Sequence, residues 1–235
     1  MSRHTRLLPE NLLLAALPAA DRRRLLADCD SVQLVVGDTL TEPGDVERHA
    51  FFPIDSFISL VAPIDGGARL EVGLVGNEGM VGTSVILGVR VSPLRALVQG
   101  AGPAWRLNGA KLTRELERSP ALRRVLNGYL YVVIGQLAQT AACTRFHFVE
   151  ARLARWLLMT RDRAHSNGFR ITHEFLAYML GVRRVGVTRA AGALQRRKLI
   201  HYARGSLEIL DAPGLEAAAC SCYGTDKAMY ASVLG

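Results

Sequence analysis

The spacing of apolar residues changes twice along the chain, and each change marks a different kind of element. Residues 32–107 run as brief β-rich pieces, VQLVV, HAFFPI, FISLVAPI, ARLEVGLV, RALVQG and AWRL, separated by Gly37-Asp38, Pro43-Gly44-Asp45 and Asp65-Gly66-Gly67. Short runs closed by such turn residues predict an antiparallel sandwich or barrel. Short helical stretches precede them, up to about Cys29. After Pro120 the period lengthens: Leu122, Leu126, Tyr129, Val133, Gln136, Thr140 and Cys143 recur at alternating steps of four and three, in a stretch without further proline. This predicts a long helix with a heptad seam, read as the contact between two copies of the chain; Val125, Val132 and Leu137 widen the stripe toward its own β-domain. Residues 146–160 predict another amphipathic helix, with Leu153, Trp156, Leu157 and Leu158 inward and Arg152, Arg155 and Arg161 mostly outward.

The most informative segment is ITHEFLAYMLGVRRVGVTRAAGALQRRKLI, residues 171–200. Thr172 can cap a helix, Glu174 suits its positive first turn, and Phe175, Leu176, Met179 and Leu180 share one face. Gly181 supplies the left-handed residue that stops this helix. A second apolar stripe follows, made of Val182, Val187, Ala190, Ala191 and Leu194, while Arg184, Val185, Thr188 and Arg189 share the opposite face. Arginines about one turn apart can each fork onto a guanine edge or a phosphate. The continuation over residues 199–210 alternates around Gly205 as a two-stranded wing would. Together these predict a winged helix-turn-helix reading double-stranded DNA; the plain alternative is a helical hairpin whose charges face water.

Charge favours the first reading. Residues 145–235 hold fourteen Lys and Arg against seven Asp and Glu, whereas the first 144 hold fifteen against fourteen, so almost all of the net +8 lies on the segment expected to meet phosphates. Few aromatics argue against a single-strand binder built on stacking. Cys29, Cys143, Cys220 and Cys222 are too sparse for a disulfide framework, which points to a reducing cytoplasm. Arg3 and Arg6 before residues 12–20 faintly resemble a secretory leader, but Pro9, Glu10 and Pro18 break the apolar stretch. No run approaches the roughly 20 apolar residues needed to cross a bilayer, so no membrane partner is expected.

The order of these elements, with ITHEFLA, the MLGV turn, the Arg184 and Arg189 pair, LQRRKLI and ARGSLEILD, resembles the cyclic-AMP receptor and fumarate-nitrate regulator (Crp/Fnr) family of bacterial transcription factors. GDTLTEPGD followed by FFPI looks like the start of its effector domain. The resemblance implies an α+β chain: an N-terminal antiparallel β-roll (a cyclic-nucleotide-binding-like jelly roll), a long dimerisation helix and a C-terminal winged helix-turn-helix. The expected divisions are residues 1–110 with the N-terminal helices, 111–146 for the helix and hinge, and 147–235 for the DNA-binding domain. It further implies a homodimer placing two recognition helices in successive major grooves of a palindromic operator. The residues expected at DNA are Thr172, Arg183, Arg184, Val185, Thr188, Arg189, Arg197 and Arg204. Val185 stands where the family usually has a glutamate, so specificity at that base step should differ by about 1–3 kcal/mol. Arg183 replaces a capping serine at a cost of roughly 1 kcal/mol, and Gly186 and Gly192 each weaken the helix by up to about 1 kcal/mol.

The resemblance is thinner at the effector site. Thr83 stands where cyclic-nucleotide binders carry a ribose-gripping glutamate, and Ser92-Pro93 replaces their arginine-hydroxyl pair. Arg90 and Arg95 flank that place, and Gln136 and Thr140, polar within the seam, are candidates for reaching a ligand wedged between β-roll and helix. The effector is unidentified and no cofactor is named by the sequence. An N-terminal iron-sulfur cluster is excluded, because Cys29 is the only cysteine before Cys143. His4, His49, His147, His165, His173 and His201 show no paired ligand spacing, although a lone histidine leaves haem open. Cys220 and Cys222, with no partner histidine near them in the sequence, read as two ordinary thiols, so no metal site is expected.

Two other functions compete with a regulator. A cupin-like metal enzyme would need His-X-His in the barrel segment, whose only histidine is His49, and neither a nucleophile elbow nor a phosphate-binding loop occurs. A ligand-binding signalling module using its winged helix on protein would lack salt-dependent DNA affinity. The sequence discloses neither the target site nor the choice between activation, which would require RNA polymerase as a further partner, and repression.

Overall fold

The computed structural model describes residues 10–64 and 69–234, so Arg3, His4, Arg6, Pro9 and the Asp65-Gly66-Gly67 turn lie outside the described residues. Two short helices, α1 (Leu12–Ala15) and α2 (Ala19–Ala27), lead into β1 (Cys29–Leu34), β2 (Thr39–Thr41), β3 (His49–Pro53), β4 (Phe57–Pro63) and β5 (Arg69–Val75). After the one-turn helix α3 (Thr83–Ile86) come β6 (Arg95–Gly100) and β7 (Gly102–Asn108). All pair antiparallel, in two sheets ordered β1-β7-β3 and β2-β6-β4-β5. Leu34, Ile58, Val75, Ala96, Val98 and Ala104 fill the space between them. The first strand ends before Val35 and Val36, which are exposed, because Asp38 closes a turn there: its carboxylate accepts from the Val35 amide at 3.3 Å and Gly37 takes a φ of +97°. Local turn chemistry outweighs the β-propensity of two valines.

Helix α4 (Gly109–Arg118) leads to the long helix α5 (Pro120–Phe146), whose start is fixed by Pro120 in its first turn and by Ser119, whose hydroxyl accepts from the Leu122 amide at 3.0 Å. The heptad seam runs along the inner face of this helix. Leu122, Leu126 and Tyr129 are buried with Phe52, Met80, Leu107 and Leu112, and the Tyr129 hydroxyl donates to the Met80 carbonyl at 2.9 Å. Val133 packs at the edge of that cluster and Gln136 is buried. Leu122, Leu126, Tyr129 and Val133, expected at a subunit contact with packing on the β-domain as the alternative, pack in this chain against the β-roll. The exposed apolar face of α5 lies in a neighbouring register, with Tyr131 and Ile134 64% and 66% exposed and Ala138 and Ala141 open to solvent.

At Phe146 the chain turns through His147 and Phe148 into α6 (Val149–Ala164). Then follow β8 (Gly168–Arg170), α7 (His173–Leu180), α8 (Arg184–Arg196), β9 (Ile200–Ala203), β10 (Ser206–Ile209), α9 (Ala212–Ala218) and α10 (Cys222–Leu234). Strand β8 joins the wing, giving a three-stranded sheet ordered β8-β10-β9. Helix α10 returns along α5, where Gly135 makes room for Met229: a Cβ there would lie 2.3 Å from its sulfur. This return explains a further departure from the sequence pattern. Arg152 and Arg155, expected outward, are buried: Arg155 pairs with Asp226 of α10 at 2.6 Å, and Arg152 donates to the Leu180 carbonyl. The partners that make burial tolerable lie far away in the sequence.

The C-terminal helical part meets the β-roll through an apolar contact, with Val61 of β4 buried in its core, and through polar ones. The indole N–H of Trp156 donates to Glu71 at 2.8 Å, and the same carboxylate takes hydrogen bonds from Ser59 and Gln99. Burial pushes the Glu71 carboxyl up to about 7, against its ordinary value of 4.5. The folded protein therefore keeps a proton that the unfolded chain releases, so this group's stabilisation is full at acid pH and is lost as pH rises through about 7. Glu71→Gln, which retains the acceptor but cannot ionise, should gain urea stability relative to the wild type as pH rises from about 5 to about 8. A difference between the two proteins that is independent of pH would contradict a neutral Glu71.

Candidate nucleic-acid interface

Helix α7 begins where the sequence places it. The Thr172 hydroxyl accepts from the Phe175 amide at 3.1 Å, and Glu174 lies in the first turn. It ends at Gly181, in the left-handed region at φ +61°, with the Val182 amide donating to the Ala177 carbonyl at 3.0 Å. Helix α8 then starts behind Arg183, which gives no side-chain cap, and buries Val187, Ala190, Ala191 and Leu194 against Leu153, Leu157, Leu176 and Leu180. Each buried Val or Leu side chain contributes about 1.5–3 kcal/mol, so this core outweighs the missing cap and the helical glycines. The inner face is thus fixed, and with it the outer one.

Arg183, Arg184, Val185, Thr188 and Arg189 all lie exposed on that outer face. Arg204, at φ +49°, and Gly205 form the tip of the β9–β10 turn, with the Arg204 side chain exposed. Thr188 is already engaged: its hydroxyl donates to the Arg184 carbonyl at 3.1 Å, so His173 must bring the Nδ1 proton to their 3.0 Å contact. His173 stacks on Tyr202 of the wing, and its buried Nε2 has no partner among the described residues. Burial, then the nearby Arg184, holds this imidazole below its ordinary pKa, which fits the neutral tautomer. His173 therefore ties α7 to α8 and to the wing, a role the sequence did not reveal. Arg197 is held by Glu150 at 3.1 Å and is less free to reach a phosphate than Arg204.

The residues expected at an effector have separate surroundings. Arg95 is gripped by both oxygens of Glu42, at 2.9 and 2.5 Å, and Ser92 donates to the Leu94 carbonyl within its own loop. Thr83 starts α3 and Arg90 is exposed. Gln136 faces Tyr230 of α10. Thr140 lines a small cavity of about 40 Å³ with Glu71, Arg152, Trp156 and Met179. Cys220 and Cys222, read from the sequence as two ordinary thiols, have a histidine beside them in the fold: the His147 Nδ1 lies 3.4 Å from the Cys222 sulfur, and the Cys143 and Cys220 sulfurs lie 3.5 Å apart.

Residues 151–218 match the Crp-like helix-turn-helix domain family. The whole chain is similar to solved structures of transcriptional regulators. One, of the Crp/Fnr family from Eubacterium rectale, has 18% identity and a TM-score of 0.69, covering 89% of this chain and 99% of its own. The fold is Crp/Fnr-like, with a Crp-like helix-turn-helix domain. The c-di-GMP-responsive global regulator CLP of Xanthomonas campestris has 18% identity and a TM-score of 0.68, over 82% of this chain and 99% of that one. A Crp/Fnr-family regulator from Thermus thermophilus has 22% identity and the same TM-score, over 81% and 98%. No curated protein matches the sequence.

Thr172 supports the helix-turn-helix through one backbone amide. Thr172→Ala should lower thermal or urea stability by about 1 kcal/mol, whereas Thr172→Ser should restore most of it. Equal losses from both substitutions would show that the hydroxyl contributes no cap.

Proposed function

We propose that this chain is a sequence-specific DNA-binding transcription regulator, acting as a homodimer on a palindromic site and controlled through its β-roll by a small effector. The observation that carries this reading is the exposed arginine face of α8, Arg183, Arg184 and Arg189, on a helix whose other side is locked into a core. Nothing on that face pairs the arginines with carboxylates among the described residues, so they remain free for phosphate and guanine. In this reading Arg184 and Arg189 touch base edges or phosphates, Val185 packs on a thymine methyl, Thr172 and Arg183 meet the backbone, and Arg204 reaches the flanking phosphates.

Dimerisation falls to the outer face of α5. Asn127, Tyr131, Ile134, Ala138 and Ala141 repeat at steps of four and three, and all are exposed. Such a face is what a parallel pair of helices covers. An effector would act on the docking of the DNA-binding part against the β-roll, where Glu71 meets Trp156 and Arg69 meets Tyr178, beside a groove of about 870 Å³ lined partly by Phe57, Leu97, Phe169 and Phe175. Altering those contacts re-aims α8. No described helix is long and apolar enough to cross a membrane, and four free cysteines suit a reducing cytoplasm, where the chromosome is found.

Arg184→Ala should cost about 1–3 kcal/mol on the specific site and relax one base step, while Arg204→Ala should weaken specific and random DNA alike and flatten the salt dependence by about one unit. Fluorescence anisotropy at several salt concentrations checks both. Equal losses on specific and random DNA from Arg184→Ala would refute its base-reading role, and affinity insensitive to salt would refute DNA binding. For the dimer, Ile134→Glu should shift sedimentation toward the monomer with the circular dichroism unchanged. A dimer as stable as the wild type would place the interface elsewhere.

A further inference from the structure

We propose that Cys143, His147, Cys220 and Cys222 form a binding site for a single soft divalent cation of the zinc class. Their ligand atoms all lie within 4.8 Å of one another. The Cys143 and Cys220 sulfurs are 3.5 Å apart, and the Cys222 sulfur is 3.4 Å from His147 Nδ1. With metal–sulfur bonds of about 2.3 Å and metal–nitrogen bonds of about 2.05 Å, a tetrahedron has S–S edges of about 3.8 Å and S–N edges of about 3.5 Å. The observed separations are close to those edges, so small side-chain shifts suffice to close the shell. A multi-iron cluster would hold its thiolates further apart than this.

The fold gathers these groups from two places. Cys143 and His147 are one helical turn apart, at the last turn and the C-cap of α5. Cys220 and Cys222 flank a single residue at the start of α10. All three cysteines are buried, and the Gln139 side-chain amide donates to the Cys222 sulfur at 2.9 Å. Three thiolates and a neutral imidazole around a dication leave one net negative charge, which a buried site must compensate. Arg152 answers that need. It is buried, has no carboxylate within salt-bridge distance among the described residues, and lines the same small cavity as Cys143. Arg155, next along the same face, lines that cavity too.

Four protein ligands leave no open position, so the ion would be structural, with no place for substrate. Its location gives it a purpose. His147 is the first residue of the hinge between α5 and α6, and α10 lies along α5, so the ion clamps the hinge to the returning C-terminal helix. Resting on the regulator reading above, the loaded and empty forms would aim α8 differently and so differ in DNA affinity. Metal binding itself stands apart from that reading.

The test uses the full-length protein, reduced and free of metal under anaerobic conditions, titrated with Co(II) and then Zn(II). One equivalent of Co(II) should bind, showing thiolate-to-cobalt charge-transfer absorption and the strong d–d bands of a tetrahedral site, and one equivalent of Zn(II) should displace it. Cys143→Ser should remove roughly a third of the charge-transfer intensity, since one of three thiolates is gone. His147→Ala should keep that intensity and shift the d–d bands. A measurement free of substitutions guards against misfolded variants: an organomercurial added to the zinc-loaded wild type should release one equivalent of zinc as the thiols react. The absence of tetrahedral cobalt bands, or zinc release below one equivalent in the wild type, overturns the site. Loss of DNA binding with the cobalt spectrum intact would overturn the regulator reading alone.

Discussion

Helix α5 carries apolar side chains around most of its circumference, while the β-roll and α10 cover only part of it. Its inner face is spent on Leu122, Leu126 and Tyr129, which close the β-roll core. Its outer face, with Tyr131 and Ile134, stays wet in a single chain. One element thus joins the core of the β-roll, an exposed apolar face and the lead into the helix-turn-helix part. In the dimer proposed above, anything that shifts α5 relative to the β-roll would shift both recognition helices together.

The second constraint is polar. Helix α6 buries three arginines, Arg152, Arg155 and Arg163, and each meets something outside its own helix: the Leu180 carbonyl, Asp226 and Glu78. Buried charges tolerate few alternative partners, since leaving one unpaired costs several kcal/mol. These contacts, with Glu71 and Trp156, hold the winged helix in one orientation against the β-roll and α10.

Legibility in the sequence followed the range of the interactions. The helix-turn-helix is written in neighbouring residues: Thr172 caps, Gly181 turns, and the spacing of Val187, Ala190, Ala191 and Leu194 fixes which face is left for Arg184 and Arg189. The wing was legible through Gly205, although β8 joining it was not. The faces of α5 were harder to read because two stripes, one through Leu126 and Tyr129 and one through Tyr131 and Ile134, both step by four and three; only the packing of the β-roll decides which is spent inside. The burial of Arg152 and Arg155 depends on Leu180 and Asp226, which no local pattern connects to them. The cysteine cluster escaped for the same reason, since 77 residues separate Cys143 from Cys220 and only the return of α10 brings them together.

What the arginine face of α8 is for can be asked most directly by selection. Random double-stranded DNA, presented to the purified full-length protein over repeated rounds, should yield one enriched sequence with two-fold symmetry, its half-sites about 10 bp apart and a guanine-containing step in each. Recovery of unenriched DNA, or of a single asymmetric site bound by a monomer, would contradict the account.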